Sequence, residues 1–233
     1  SVRDEESLRI CLGLGVSSLK VRFVPDAVFV HAPRFFFPNP TLSQEESDKL
    51  QVALNLNYDI ENPESWENFI FHLAEGLKKV HTKVPLEIHA LPMQSGFKEN
   101  HDYDVLESFR EHIPEIEMKL HKPISTHDMG AIIDSCALVI SERLHTSISA
   151  AVMGKPFFAL VYDTKVREMT KILEMEKYAL EINNDFSSDV FAKTLLDLTN
   201  TRQEIGETLK MRTEVLRTEL LTYFDELKMV LFG

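Results

Sequence analysis

Residues 138–165 constrain the fold of this chain most, because they read as a strand, a helix and a second strand in one short unit. Leu138–Ile140 and Phe157–Val161 are apolar runs bounded by polar or turn-forming residues, which is typical of buried parallel strands. Between them apolar residues recur at helical spacing, and a Gly-Lys-Pro sequence ends the pattern. The spacing predicts a helix over Glu142–Met153.

The start of this predicted helix carries the candidate site. Ser141 is placed to cap the helix N-terminus, and Arg143 and His145 follow in the first turn. Unbonded backbone N–H groups and the helix dipole favour an anion at a helix N-terminus. The same dipole stabilises the Glu142 carboxylate, so Glu142 can be explained by a structural role alone. Two potential cations at one helix N-terminus therefore predict an anion-binding site. We expect Arg143 and His145 to lie side by side, with Arg143 holding charge and His145 moving a proton.

Strand and helix patterns alternate from residue 51 onward, which predicts an α/β fold with a doubly wound, Rossmann-like parallel sheet. Three further strands are predicted at Val52–Leu56, Leu86–Leu91 and Ile116–Leu120, and the helices between the strands at Glu64–Val80, Asp104–Ile113 and His127–Cys136. Ligands bind beyond the carboxyl ends of strands in such sheets. The turns after the five strands should therefore line one crevice.

Five more candidate ligand-binding residues lie in these turns: Asn57, Gln94, Ser141, Tyr162 and Lys165. Asp102 belongs to the same polar loop as Gln94 and is a weaker candidate. A single polar residue at a turn is usually a capping or surface group, and Tyr162 fits a turn role equally well. The convergence of several donors in one crevice of an acidic protein is what favours binding.

The ends of the chain predict a division into parts. Residues 1–32 contain one helix and one extended segment, Val21–Val30, which cannot close a core, so we expect the remnant of an N-terminal α/β domain that lies outside the sheet. Residues 33–43 are a proline-rich linker, and residues 44–200 form the donor-binding domain. One helix is predicted at 187–199. A second, long helix is predicted at about 201–228, with a gap in its apolar pattern near Arg212. It either packs on this sheet or crosses to the N-terminal domain.

Composition excludes several classes of protein. The net charge of −12 argues against nucleic acid and anionic membranes as partners. No apolar run approaches the ~20 residues of a membrane span, and Cys11 and Cys136 lack any CxxC spacing, so we predict a cytoplasmic protein with core thiols. The histidines outside the candidate site show no metal-binding spacing and are predicted to be mostly solvated, so we predict no metal. Oligomeric state is not indicated.

The central unit resembles the polysaccharide pyruvyl transferase family. The residues that carry the likeness are Arg143, Leu144, His145, Gly154, Pro156, Tyr162, Asp163 and Lys165. Weaker similarity at residues 2–8, 25–29 and 91–94 follows the family's order. The resemblance implies the C-terminal half of a glycosyltransferase-B-like two-domain protein. It also implies transfer of a pyruvyl group from phosphoenolpyruvate, used as co-substrate without a cofactor, to sugar hydroxyls of a cell-surface polysaccharide, with formation of a ketal.

One departure from the family stands after the first strand, where members often carry an Arg and this chain has Asn55, Leu56, Asn57 and Tyr58. Lys98 or a group on the other domain could replace that cation. Two alternatives follow. The fold also suits a nucleotide-sugar glycosyltransferase or epimerase, whose donor diphosphate would occupy the same helix N-terminus, or a degenerate domain without catalysis.

Overall fold

The structure, a computed structural model, describes residues 1–36, 48–58, 62–94, 102–122, 125–182 and 186–232. The strands in this part of the chain are β1 (Leu50–Asn55), β2 (Leu86–Ala90), β3 (Glu117–Leu120), β4 (Leu138–Ser141), β5 (Phe157–Val161) and β6 (Ala179–Glu181). The α-helices are α1 (Glu5–Gly13), α2 (Pro33–Phe36), α3 (Pro63–His81), α4 (Asp102–Arg110), α5 (Thr126–Ser135), α6 (Leu144–Val152), α7 (Thr164–Ile172) and α8 (Ser188–Phe232). Two 3₁₀ helices span Ala27–Val30 and Glu176–Tyr178.

The strands form one sheet in the order β3-β2-β1-β4-β5-β6, and every neighbouring pair is parallel. This order is that of a doubly wound α/β sheet whose winding direction reverses between β1 and β4. The predicted Rossmann-like fold class is confirmed. The five predicted strands lie within two residues of the observed ones at each end.

Burial in the sheet follows from the helices that cover its two faces. Every residue of β2, β4 and β5 is buried, whereas β3, at the edge of the sheet, alternates exposed and half-buried residues. β3 therefore differs from the apolar runs that form β4 and β5, because an edge strand has one face that solvent reaches. Helix α3 packs its apolar face, which includes Phe69, Leu73 and Leu77, against the core and α8.

The last helix differs from the prediction of two helices, at 187–199 and 201–228. Helix α8 runs without a break through Asn200 for 45 residues. No Gly or Pro interrupts it there, and the hydroxyls of Thr199 and Thr201 donate to carbonyls one turn back, at 2.8 and 2.9 Å. The gap in its apolar pattern near Arg212 also has a reason, since Arg212 Nε donates to the Ile172 carbonyl at 2.8 Å.

The first 36 residues lie outside the six-stranded sheet. A single parallel bridge joins Val2 to Phe23, and the segment predicted as extended over Val21–Val30 instead ends in the 3₁₀ helix Ala27–Val30. Phe29 is 1% exposed and fixes this 3₁₀ helix against α6 and α8. The predicted linker begins with α2, and its residues 37–43 lie outside the described residues. No helix within the described ranges combines the length and apolar character that crossing a lipid bilayer requires.

Candidate active site at the carboxyl ends of the strands

The candidate site lies where the winding of the sheet reverses, beyond the carboxyl ends of β1 and β4. Asn55 ends β1 and pairs in register with Ser141, which ends β4. Neighbouring parallel strands whose connections leave in opposite directions open a crevice at this point. The residues that follow β1, β2 and β4 meet there, as the sequence predicts.

The backbone at the start of α6 differs from the prediction. The helix begins at Leu144, and Arg143 is its N-cap residue with extended backbone, φ −80° and ψ 130°. Ser141 does not cap the helix; it is fully buried at the end of β4, and its Oγ donates to the Arg143 carbonyl at 2.9 Å. Its hydroxyl therefore shapes the turn between β4 and α6.

The side chain of Arg143 joins three segments of the crevice. Its Nε and one terminal nitrogen donate to the two carboxylate oxygens of Asp102 at 2.7 and 2.5 Å. The same terminal nitrogen donates to Asn57 Oδ1 at 2.9 Å and to Gln94 Oε1 at 2.8 Å. Arg143 thus fastens the turn after β1, the turn after β2 and the start of α4 to one point.

Asp102 is the buried centre of this arrangement. It is 1% exposed, and one of its oxygens also accepts the backbone N–H groups of Met93 and Gln94 at 3.0 and 3.2 Å. It begins α4 and is not part of a polar surface loop. A carboxylate with two amide donors and a forked guanidinium is well satisfied despite its burial.

Two further polar side chains hold the backbone of the crevice. Asn55 Oδ1 accepts the Arg143 N–H at 3.2 Å, and its Nδ2 donates to the Leu91 carbonyl at 2.9 Å. Glu142, also fully buried, accepts the Asn57 N–H at 2.7 Å. Glu142 therefore has a structural role. Asn55 was not a predicted site residue, although its position, a polar residue at the end of an apolar strand, could have indicated a role in the crevice.

His145, the second residue of α6, contacts a different segment of the chain from this network. Its side chain is 59% exposed, and its Nε2 is 3.8 Å from Asp26 Oδ2, at the start of the 3₁₀ helix. The nearby imidazole lowers the pKa of the Asp26 carboxyl, while burial acts to raise it. Arg143 and His145 therefore contact different partners. The expected convergence of the two side chains is wrong, since the extended backbone at Arg143 turns its side chain toward β1 and β2.

Lys165 lies in the first turn of α7, beyond the end of β5. Its side chain is 59% exposed, with Nζ 3.9 Å from the Asp163 carboxylate. Asp163 caps α7 by accepting the Val166 N–H at 3.0 Å, so its turn role is clear. Tyr162 precedes it and is half-buried. Lys165 and Asp26 line the same groove on the N-terminal side of α7.

A second cluster of titratable groups lies on β2 and β3. His89, 8% exposed, contacts His121 Nε2 at 3.0 Å through Nδ1 and Glu87 at 3.1 Å through Nε2. Burial lowers the pKa of both histidines. His89 is therefore an exception to the expectation that these histidines are mostly solvated, because its strand is covered.

The two cysteines differ in burial, since Cys11 is half-buried and Cys136 is buried. Cys11 and Cys136 are both free, and burial raises the pKa of the Cys136 thiol to about 12. No group of three or more His, Cys, Asp or Glu side chains within the described ranges is arranged to hold a metal ion. Lys98, the suggested replacement for the family's Arg, lies outside the described residues. In the described part of that turn, Asn57 accepts the hydrogen bond from Arg143.

More than half of the chain matches a known protein family. Residues 1–164 match the family model described as polysaccharide pyruvyl transferase. The chain belongs to this family. No protein with curated function matches it.

Solved structures with the same architecture are glycosyltransferases and epimerases of the GT-B type. A UDP-GlcNAc 2-epimerase from Neisseria meningitidis, solved bound to UDP-GlcNAc, has TM-score 0.61 and 12% identity over 94% of this chain and 60% of that chain. A glycosyltransferase from Rickettsia africae has TM-score 0.61 and 12% identity over 99% of this chain and 62% of that chain. The chain spans about three fifths of the length of these relatives. At this identity the likeness shows the fold.

Proposed function

We propose that this polysaccharide pyruvyl transferase family member transfers the pyruvyl group of phosphoenolpyruvate to two hydroxyls of a sugar in a cell-surface polysaccharide. The observation that carries the proposal is the pair of exposed nitrogen-bearing side chains, His145 and Lys165, in the first turns of two adjacent helices. Helix N-termini already favour phosphate, and these side chains add proton transfer and positive charge there.

The chemistry needs proton movement and charge neutralisation but no redox partner. A proton adds to the methylene carbon of phosphoenolpyruvate, and one sugar hydroxyl attacks the carbon that bears the phosphate. The second hydroxyl then forms the other C–O bond of the ketal as the C–O bond to phosphate breaks. Of the two hydroxyl protons, one balances the proton taken up by carbon and the other leaves with phosphate. Phosphoenolpyruvate is therefore a co-substrate, and no cofactor is needed.

The residues divide these tasks differently from the prediction made on sequence alone. Lys165 and the N-terminus of α6, which has no side-chain cap, would bind phosphate, and His145 would act as general acid or base. Arg143 donates to Asp102, Asn57 and Gln94, so we assign it a positioning role. Through these hydrogen bonds it fixes the positions of the turns after β1 and β2 relative to the start of α6.

Ligand-dependent stability of the full-length protein tests the donor. Phosphoenolpyruvate at about 100 times its dissociation constant should add ~2.7 kcal/mol, a rise in melting temperature of roughly 5–11 °C for a chain of this size. Uridine nucleotides at the same concentration should have no such effect. Stabilisation by the nucleotides without phosphoenolpyruvate would contradict the proposal and favour a nucleotide-sugar enzyme.

Turnover of phosphoenolpyruvate, followed as phosphate release with saccharide acceptors, tests the residues. His145→Gln should lower kcat by roughly a hundredfold with a smaller change in KM. Lys165→Gln should mainly raise the KM for phosphoenolpyruvate. Lys171→Gln is the matched control, because Lys171 lies in the last turn of the same helix and pairs with Glu168. Equal effects of the two lysine variants would remove Lys165 from the site.

A further inference from the structure

We propose that Asp26 is the positioning residue that orients His145, and that it leaves Nδ1 of the imidazole as the nitrogen that exchanges a proton with substrate. This inference rests on the proposed function for its catalytic consequence. Its structural part, the tautomer of His145, does not depend on the reaction.

Asp26 is held in place by the fold. Its Oδ1 accepts the Val28 N–H at 3.1 Å and thereby caps the 3₁₀ helix Ala27–Val30. The buried Phe29 anchors that helix. Arg217, a residue of α8, also donates a hydrogen bond from Nε to the Val30 carbonyl at 3.2 Å. Asp26 therefore presents a carboxylate from a rigid support, with its side chain 16% exposed.

The two oxygens of Asp26 have separate partners. Oδ1 accepts the backbone cap hydrogen bond, while Oδ2 faces the Arg3 guanidinium at 3.5 Å and His145 Nε2 at 3.8 Å. The His145 ring is exposed, so a small rotation would bring Nε2 within hydrogen-bonding distance of Oδ2. The low pKa of the Asp26 carboxyl agrees with this contact.

A carboxylate oxygen only accepts hydrogen bonds, so it selects the tautomer in which Nε2 carries the proton. Nδ1 then carries the lone pair and points away from Asp26. The same carboxylate stabilises the imidazolium that forms when Nδ1 takes a proton from a sugar hydroxyl. A carboxylate behind a catalytic histidine has this effect in other enzymes. Asp26 thus acts through His145 and need not touch substrate.

Asp26→Asn separates this role from a structural one. Asn caps a helix as well as Asp, so Oδ1 still accepts the Val28 N–H. The Oδ2 position becomes an NH₂ donor, which selects the opposite tautomer, with the lone pair on Nε2. Asp26→Ala removes the cap but imposes no tautomer. A purely structural role predicts that Ala is the more harmful change, whereas tautomer control predicts that Asn is.

The experiment uses full-length protein with ¹⁵N-labelled histidine, read by NMR at about pH 8.5, where an ordinary imidazole is neutral. His145 should be protonated on Nε2 in the wild type and on Nδ1 in Asp26→Asn. Arg3→Met is the matched control, since it removes the other partner of Oδ2 and should leave the Nε2–H tautomer in place. An Nδ1–H tautomer in the wild type, or the same tautomer in wild type and Asp26→Asn, would overturn the proposal.

Turnover of phosphoenolpyruvate gives the catalytic readout. Asp26→Asn should lower kcat by at least roughly tenfold, by more than Asp26→Ala, and change KM little. If the wild type does not consume phosphoenolpyruvate, the proposed function fails while the NMR result still decides the tautomer. If Asp26→Ala is slower than Asp26→Asn, tautomer control is refuted even with pyruvyl transfer established.

Discussion

Replacing Arg143 with Met should destabilise the fold because it leaves the Asp102 carboxylate buried without its cation. Asp102 is 1% exposed, and Arg143 contacts both of its oxygens. Removing one member of a buried pair costs about 3–5 kcal/mol. The Met93 and Gln94 N–H groups still donate to Asp102, which places the expected cost near the lower end, about 3 kcal/mol. The melting temperature should fall by roughly 6–12 °C.

The chain offers a matched control in Arg167, which forms the same kind of fork on the surface. Its Nε and a terminal nitrogen donate to the two oxygens of Glu181 at 2.7 and 2.9 Å, with both side chains 42% exposed. Exposed pairs contribute at most ~1 kcal/mol, so Arg167→Met should cost under about 4 °C. The fork on the carboxylate is alike in the two pairs, so the contrast measures burial together with the two hydrogen bonds that Arg143 also donates to Asn57 and Gln94.

Urea unfolding followed by far-ultraviolet circular dichroism measures both variants at neutral pH, with the slope m checked for constancy. A double variant, Arg143→Met with Asp102→Asn, removes the buried charge and should recover part of the loss, with a coupling energy of about 1–3 kcal/mol. If Arg143→Met is no more destabilising than Arg167→Met, the buried pair does not fasten the crevice and its assigned positioning role is refuted.

Three other outcomes are expected. The free energy of unfolding should fall as pH drops below about 6.5, because burial lowers the pKa of His89 and His121 in the folded protein and the unfolded chain therefore binds protons on them at higher pH. Urea midpoints at two pH values measure this dependence. Changing both histidines to Gln should make the unfolding free energy depend less on pH. Gly206→Ala should lower the unfolding free energy by roughly 1–3 kcal/mol, because the added Cβ would lie 2.7 Å from the Gly154 carbonyl oxygen. This loss is expected although Ala is the better helix former by ~1 kcal/mol. A gain in melting temperature would contradict the prediction. The thiol of Cys136 should resist alkylation at about pH 8 until the protein unfolds, because it is buried and its pKa is raised; rapid labelling of the native protein would contradict this prediction.

The sequence alone was enough for the sheet and for the location of the crevice. Apolar runs such as Phe157–Val161 can be buried on both faces only in a covered parallel sheet, and alternation with helices determines the class of connection. The carboxyl ends of those strands must then meet at one edge, so the candidate turns could be predicted to lie together. Local patterns carry this information because hydrophobic periodicity and turn residues act within short windows.

The tertiary structure decided which polar groups contact each other. Arg143 looked like an anion ligand, but the extended backbone at the N-cap turns its side chain to Asp102, which lies 41 residues earlier. Asp26 was not a predicted site residue, because its contact with His145 depends on how Phe29 anchors the 3₁₀ helix against α6 and α8. Side-chain direction at a helix start depends on one residue's φ and ψ, and long-range partners depend on packing. Neither is encoded in the periodicity of a single stretch.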